Sequence, residues 1–323
     1  DETTRLESKF ITLGTTLQNV DRGALTPAQE TAYDLGRAFR ALSDIFGLSI
    51  DQVSDLGAQW AAAGATGRDL AVATRTTMEA MVLGDFNDTE EAFKALIAIQ
   101  QGYQLSMEQT RSAMAALNQV ENMTAASFTD LTTAISKAAG TARTAGVDIQ
   151  HLAAITATLV PATGSAASAG NALKTLFSRI LAPTQDSFDE AGFQGMNAAE
   201  RLEFLAQSFA GLTSAQKAVV SSYVAGRYQL NRFDVLMADI INEQGTYRRV
   251  LDSLSDGLGE NSRAMRQYQN EIALFLASTP QGLQILTTRM KNAAMTIMVQ
   301  LMPVFMAVTQ TISVMVGEFA KMD

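Results

Sequence analysis

Apolar positions recur along most of this chain at the spacing of a helix rather than a strand. Leu173, Leu176, Phe177, Ile180 and Leu181 fall at i, i+3, i+4, i+7 and i+8 and form one apolar stripe, while Asn171, Lys174, Thr175, Ser178 and Arg179 take the opposite face. Ahead of the stripe, Ala166, Ala167, Ala169 and Gly170 carry almost no side chain, so the first turns are expected to lie close against another helix. Pro183 biases Ala182 out of helical geometry and is expected to end the element. A related pattern appears elsewhere. Gly47-Leu48-Ser49-Ile50 is followed by Val53, Leu56 and Trp60, and Gly146-Val147-Asp148-Ile149 is followed by Leu152, Ile155 and Leu159. Leu105-Ser106-Met107, then Ala113 and Leu117, is a looser third copy. Residues 46 to 182 are therefore either stacked helical hairpins, each burying one face on the next, or separate amphipathic helices that share a period.

Helix starts are marked by capping chemistry. Thr26-Pro27-Ala28-Gln29 offers a capping hydroxyl, a proline at the first helical position and a glutamine placed to complete a capping box. Ser49 with Gln52 and Ser106 with Gln109 repeat the device; Asp88 with Glu91 and Thr213 with Gln216 are further candidates. The gaps between these starts predict helices of roughly ten to twenty residues joined by short loops. From Asp186 to Gly195 the apolar pattern lapses into an expected loop before Ala198 to Ala210 resumes it. The predicted fold class is all-α, a compact multi-helix array of short helices. It divides into an N-terminal helical segment (1–45), a helical core module (46–282) and a hydrophobic C-terminal helix (283–323).

That last segment carries no charge between Lys291 and Glu318, and Ala293 to Gly317 as a helix would span roughly 35 Å, against about 30 Å for a bilayer core. As heptads, Met295, Met298, Met302, Phe305, Thr309, Ile312, Val316 and Phe319 make a seam that suits an oligomeric coil, a parallel trimer above all. Ile297, Leu301, Val304, Val308 and Met315 are apolar on the other side, which keeps membrane insertion as the alternative. Gln300, Gln310 and Pro303 count against a span exposed to lipid.

Composition narrows the chemistry. With 323 residues, 47% of them hydrophobic, the chain can bury a sizeable core, and only 5 prolines interrupt it. A formal net charge of −9 and the lack of any basic run exclude a surface built for phosphate, so no sequence-specific nucleic-acid contact is expected. With no cysteine there is no disulfide, thiolate nucleophile or thiolate metal site. The opening DETTRLESKF is not a signal peptide and has no initiator methionine, so the chain is expected to be part of a longer one. His151 is the only histidine, and no nucleophile elbow accompanies it. Gly64-Ala65-Thr66-Gly67 is only a GxxG, without a phosphate loop. Neither Asp186, Asp189 and Glu190 nor Asp252, Asp256 and Glu260 have the spacing of a calcium loop. No catalytic residue, metal or cofactor is assigned, and the expected class is not an enzyme.

Three stretches carry a resemblance: AGVDIQHLAAITATLVPATGSAASAGNALKTLFSRILAPT, then LEFLAQSFAGLTSAQKAVVSSYVAGRY, then the long stretch ending in LQILTTRMKNAAMTIMVQLMPVF. Together, from about Gly146 to Val308, they resemble the TP901-type core region of tape measure proteins of long-tailed bacteriophages. The specific part is the helix with the small pair Ala169-Gly170, then Leu173, Leu176, Phe177 and Arg179, and the stop at Pro183; Leu212 to Gly226 is similar to a second family helix. At Ala225-Gly226-Arg227-Tyr228 the chain departs from the family's usual Phe-Gly-Arg-like sequence. The resemblance implies a structural virion protein that sets tail length, packs in the tail lumen or at the tail tip, is held by assembly chaperones in the host cytoplasm, and leaves ahead of the DNA. It implies tail tube and tail tip proteins, and copies of itself, as partners. The alternative function is a membrane-active helical protein that opens a pore in the host membrane for DNA, with Met295, Met298, Met302, Phe305, Ile312 and Val316 on the inserting helix.

Overall fold

A computed structural model describes residues 27–84, 86–181, 196–226 and 229–278, together with 284, 285, 287 and 288. Within these residues the chain forms helices and no strand, so the fold is all-α. The helices are α1 (Pro27–Phe46), α2 (Ile50–Ala62), α3 (Gly67–Leu83), α4 (Thr89–Tyr103), α5 (Met107–Glu121), α6 (Phe128–Thr144) and α7 (Ile149–Thr163). They continue with α8 (Ala166–Leu181), α9 (Ala198–Ala210), α10 (Ser214–Val224), α11 (Leu230–Ile241), α12 (Thr246–Ser253) and α13 (Arg263–Ala277). Pro183, the loop from Asp186 to Gly195 with its three acids, and the seam of Met295, Met298, Met302, Phe305, Ile312 and Val316 lie outside the described residues.

Capping starts the helices where the local sequence requires. Ser49, Ser106 and Thr213 each accept from the backbone of the glutamine three residues on, and that glutamine side chain returns to the cap's own N–H. Asp88 caps α4 through Glu91 N–H. The recurring motif is a shared turn. Gly47, Gln104 and Gly146 all adopt the left-handed conformation, with φ of 70°, 56° and 70°. One apolar residue follows each, then a capping Ser or Asp, then the next helix. In two of the turns the apolar residue's N–H closes back onto the helix just ended, Leu105 onto Gln100 and Val147 onto Ala142, both at 2.9 Å. The α1–α2, α4–α5 and α6–α7 connections share the left-handed residue.

The chain divides into two compact units, Asp1–Arg75 with Leu274–Asp323, and Thr76–Ala273. In the first, the Phe39 ring fills the space over Gly57, where a Cβ would come within 2.4 Å of it. There the Gly47 carbonyl also accepts from Thr288 Oγ1 at 2.8 Å. In the second, alternate helices lie side by side: α4 on α6 and α6 on α8 make one layer, and α5 beside α7 makes another. This is how stacked hairpins pack. α6 is the centre of the first layer because both neighbours meet it through glycine. A Cβ on Gly102 would be 2.5 Å from Ala139 Cβ, and one on Gly170 would be 2.6 Å from the Ala134 carbonyl oxygen. α11 and α12 pack on α7, and α9 on α11.

Candidate functional site

The helix singled out by the sequence, α8, turns Ala169, Gly170, Leu173, Leu176 and Phe177 inward as one buried face. The small residues do what their size allows: at Gly170 the backbones of α8 and α6 approach until nothing larger than hydrogen fits. Arg179 stands apart from that face, exposed, with its guanidinium over Gly226. Gly226 has φ of 74°, and a Cβ there would come within 2.8 Å of the guanidinium carbon. The two stretches carrying the family resemblance thus meet through Arg179 and Gly226. The end of α8 is held by a residue the sequence did not single out. Arg201, from α9, donates to the Ile180 carbonyl at 2.9 Å, placing a cation at the C-terminal end of α8, and to the Met196 carbonyl just ahead of α9 at 3.1 Å.

A second polar constellation lies along α5. Arg111 is mostly buried and grips the fully buried Glu79 of α3 through Nε at 2.8 Å and Nη2 at 3.2 Å. Its Nη1 reaches Glu260 at 3.4 Å, and its guanidinium lies 5.9 Å from the centre of the Tyr268 ring on α13. Burial alone would lower the Arg111 pKa, but the paired carboxylates more than offset it and hold the charge. Two and three turns further along, Asn118 and Asn122 donate to the two oxygens of Glu271 on α13, at 2.6 and 2.8 Å, and Gln267 adds a third amide at 2.9 Å. Gln119 donates to the Ser253 carbonyl at 3.0 Å. One face of α5 is thus a polar track, although Met114, Leu117 and Val120 bury its other faces in the core.

The third cluster surrounds the single histidine. His151 Nδ1 sits 2.8 Å from the carboxylate of Asp148, which also accepts from the His151 N–H as the cap of α7. Its ring lies 6.4 Å from that of Tyr247, whose hydroxyl donates to Glu203 at 2.8 Å. The hydrogen bond to Asp148 leads in raising the His151 pKa, with Glu203 and Glu200 adding to it against partial burial. Burial pushes Asp148 up, and the bonds from His151 more than reverse that, leaving it lowered. Beneath the cluster, Asp239 of α11 accepts from the N–H groups of Thr246 and Tyr247 at 3.0 and 2.8 Å and from Thr158 Oγ1 at 2.9 Å. It therefore caps α12 from another helix, Gly245 at the cap position having no side chain to do so. An Asp–His pair is the orienting half of a hydrolytic triad, but here the adjacent hydroxyl belongs to Tyr247 and is committed to Glu203. These groups tie helices together.

Among the described residues, no group of three or more His, Cys, Asp or Glu side chains is placed to hold a metal ion. Among the same residues, no helix is long and apolar enough to cross a membrane.

Comparison with known proteins gives a consistent picture. No solved structure matches the chain. It is similar to a probable tape measure protein of Escherichia phage P2, 24% identical over 276 residues, an alignment that covers 77% of this chain and 33% of the relative. The chain thus spans about a third of the length of that relative. Residues 12–226 match the family described as phage-related minor tail protein, a stretch that takes in α1 to α10 and both helices joined at Arg179 and Gly226. The match covers more than half of the chain, which belongs to the phage-related minor tail protein family.

Proposed function

We propose that this structural tail protein is a folded section of a tape measure protein, sited in the tail lumen near the tip and not part of the extended ruler. The supporting observation is that the chain reverses direction at Gly47, Gln104 and Gly146. α1, the longest described helix at 20 residues, spans about 30 Å, whereas Thr76 to Ala273 drawn out as one helix would span about 300 Å. A ruler converts residue count into length only where its helices run along the tube, and these fold back on one another. The section would pack against tail tube and tail tip proteins and against copies of itself, with the seam from Met295 to Val316 as the trimer contact. Assembly chaperones would hold it beforehand, and it would leave ahead of the DNA. No described helix is long and apolar enough to span a bilayer, and the segment on which a membrane pore would rest lies outside the described residues.

The test is electron microscopy of tails from phage carrying an in-frame deletion of residues 76–273, beside a deletion of equal size in a predicted rod segment of the parent protein. The rod deletion is expected to shorten tails by about 1.5 Å per residue removed. The deletion of 76–273 is expected to impair tip assembly or DNA delivery without that shortening. Proportional shortening by both would show that this section is itself ruler.

A further inference from the structure

We propose that the polar face of α5 is a mechanical clasp that carries tension between the two ends of the unit Thr76–Ala273. The inference goes beyond the functional assignment above and does not depend on where in the tail the chain sits. It starts from where the chain enters and leaves this unit. It enters along α3 at Thr76 and leaves along α13 at Ala273. Within one helical turn of each point a carboxylate is fastened to α5: Glu79 to Arg111 at the entrance, Glu271 to Asn118 and Asn122 at the exit. Arg111, Asn118 and Asn122 fall at i, i+7 and i+11 and so share one face of α5, the first two about 10 Å apart along its axis.

A pull on the flanking chain therefore passes from α3 through the Glu79–Arg111 pair into α5, and out through the Glu271 amides into α13. It bypasses the close-packed contacts of α6 with α4 and α8, where Gly102 and Gly170 bring the helices together. Tyr268 against Arg111, and Glu260 on the same guanidinium, add links between α5 and the segment leading out. The bonds in this path are charge-assisted and directional, and they yield only when donor and acceptor separate.

Mechanical and thermal stability are thus set by different residues, which makes the proposal testable. The full chain would be tethered by its two ends in an optical trap, and the lifetime of the Thr76–Ala273 unit measured at fixed force. The event is recognised by its release of roughly 650–700 Å of chain. Glu271→Gln, which keeps shape but removes charge, is expected to shorten that lifetime about tenfold while changing the melting temperature little. Asn122→Ala, at an exposed partner, is expected to act in the same direction. Phe177→Ala, in the contact of α8 with α6, is expected to lower the melting temperature most and to shorten the lifetime under force less than Glu271→Gln. Lifetimes that follow the thermal order, with Phe177→Ala the weaker protein by both measures, would overturn the clasp. So would lifetimes unchanged by both Glu271→Gln and Asn122→Ala.

Discussion

Phe177 and Gly170 sit on the same face of α8 and hold it by opposite means. Phe177 is fully buried, so Phe177→Ala removes apolar contact and leaves a cavity, and a loss of about 3–5 kcal/mol is expected in denaturant titrations. Gly170 works by absence. Alanine is the better helix former by up to about 1 kcal/mol, yet its Cβ would lie 2.6 Å from the Ala134 carbonyl oxygen, a main-chain atom that cannot swing aside. Gly170→Ala is accordingly expected to destabilise by about 1–3 kcal/mol, and a raised melting temperature would show that α6 and α8 separate freely. His151 supplies a pH dependence. Its folded pKa lies above the ordinary 6.5, so its stabilising contribution is complete below that value and disappears as pH rises through the folded pKa. Asp148 runs the other way: its folded pKa lies below the ordinary 3.8, so its contribution is present above that value and is lost as pH falls through the folded pKa. The pair is fully effective between 3.8 and 6.5. Melting temperatures from pH 5 to 9 should therefore fall with rising pH, and His151→Gln should flatten the slope; an equal slope in the variant would remove His151 as its source.

Which elements were legible in advance follows from how far apart their determinants lie. A capping box is decided within four consecutive residues, so Ser49, Ser106 and Thr213 could be assigned from sequence, and each caps its helix as expected. The hairpin motif was visible for the same reason, though only as spacing, because its cause is a backbone conformation. That conformation also explains why the third copy looked loose. Where the others have glycine, it has Gln104 at φ of 56°, a region that costs a side chain about 1–2 kcal/mol. Gln104→Gly is expected to raise stability by up to about 1 kcal/mol, offset in part by the freedom glycine adds to the unfolded chain. A clear loss would mean that the Arg143 bond to the Gln104 side chain outweighs the strain. The polar track of α5 was not legible. Arg111 and Glu79 are 32 residues apart, and Asn118 and Glu271 are 153 apart. Nothing in SMEQTRSAMAALNQ distinguishes an arginine over a buried carboxylate from one in water. The same holds for Arg201, whose role exists only because α9 begins beside the end of α8.

For the molecule as a whole, charge was the most direct message of the sequence, with 33 acidic against 24 basic side chains. The structure adds where some of the basic ones go. Arg111 is taken up by Glu79 and Glu260, Arg201 by the Ile180 carbonyl near the end of α8, Lys94 by Glu90, and Lys217 lies over the Phe209 ring at 5.4 Å. Each ion pair takes up an acid along with its cation, so the excess of acids expressed by the net charge of −9 stands. Tight DNA binding draws on several phosphate contacts at once, each releasing counterions, and an acidic surface instead keeps the two polyanions apart. For a protein whose proposed place is a tube that DNA must later traverse, mutual repulsion keeps the passage free of adhesion. The chain is therefore expected to show no retention of duplex DNA in a mobility-shift assay at roughly 50 mM salt, with any dissociation constant weaker than about 10⁻⁴ M. Binding tighter than this that weakens steeply as salt is raised would reveal a local basic surface, and the DNA would then be a partner of this section and not merely its successor in the tube.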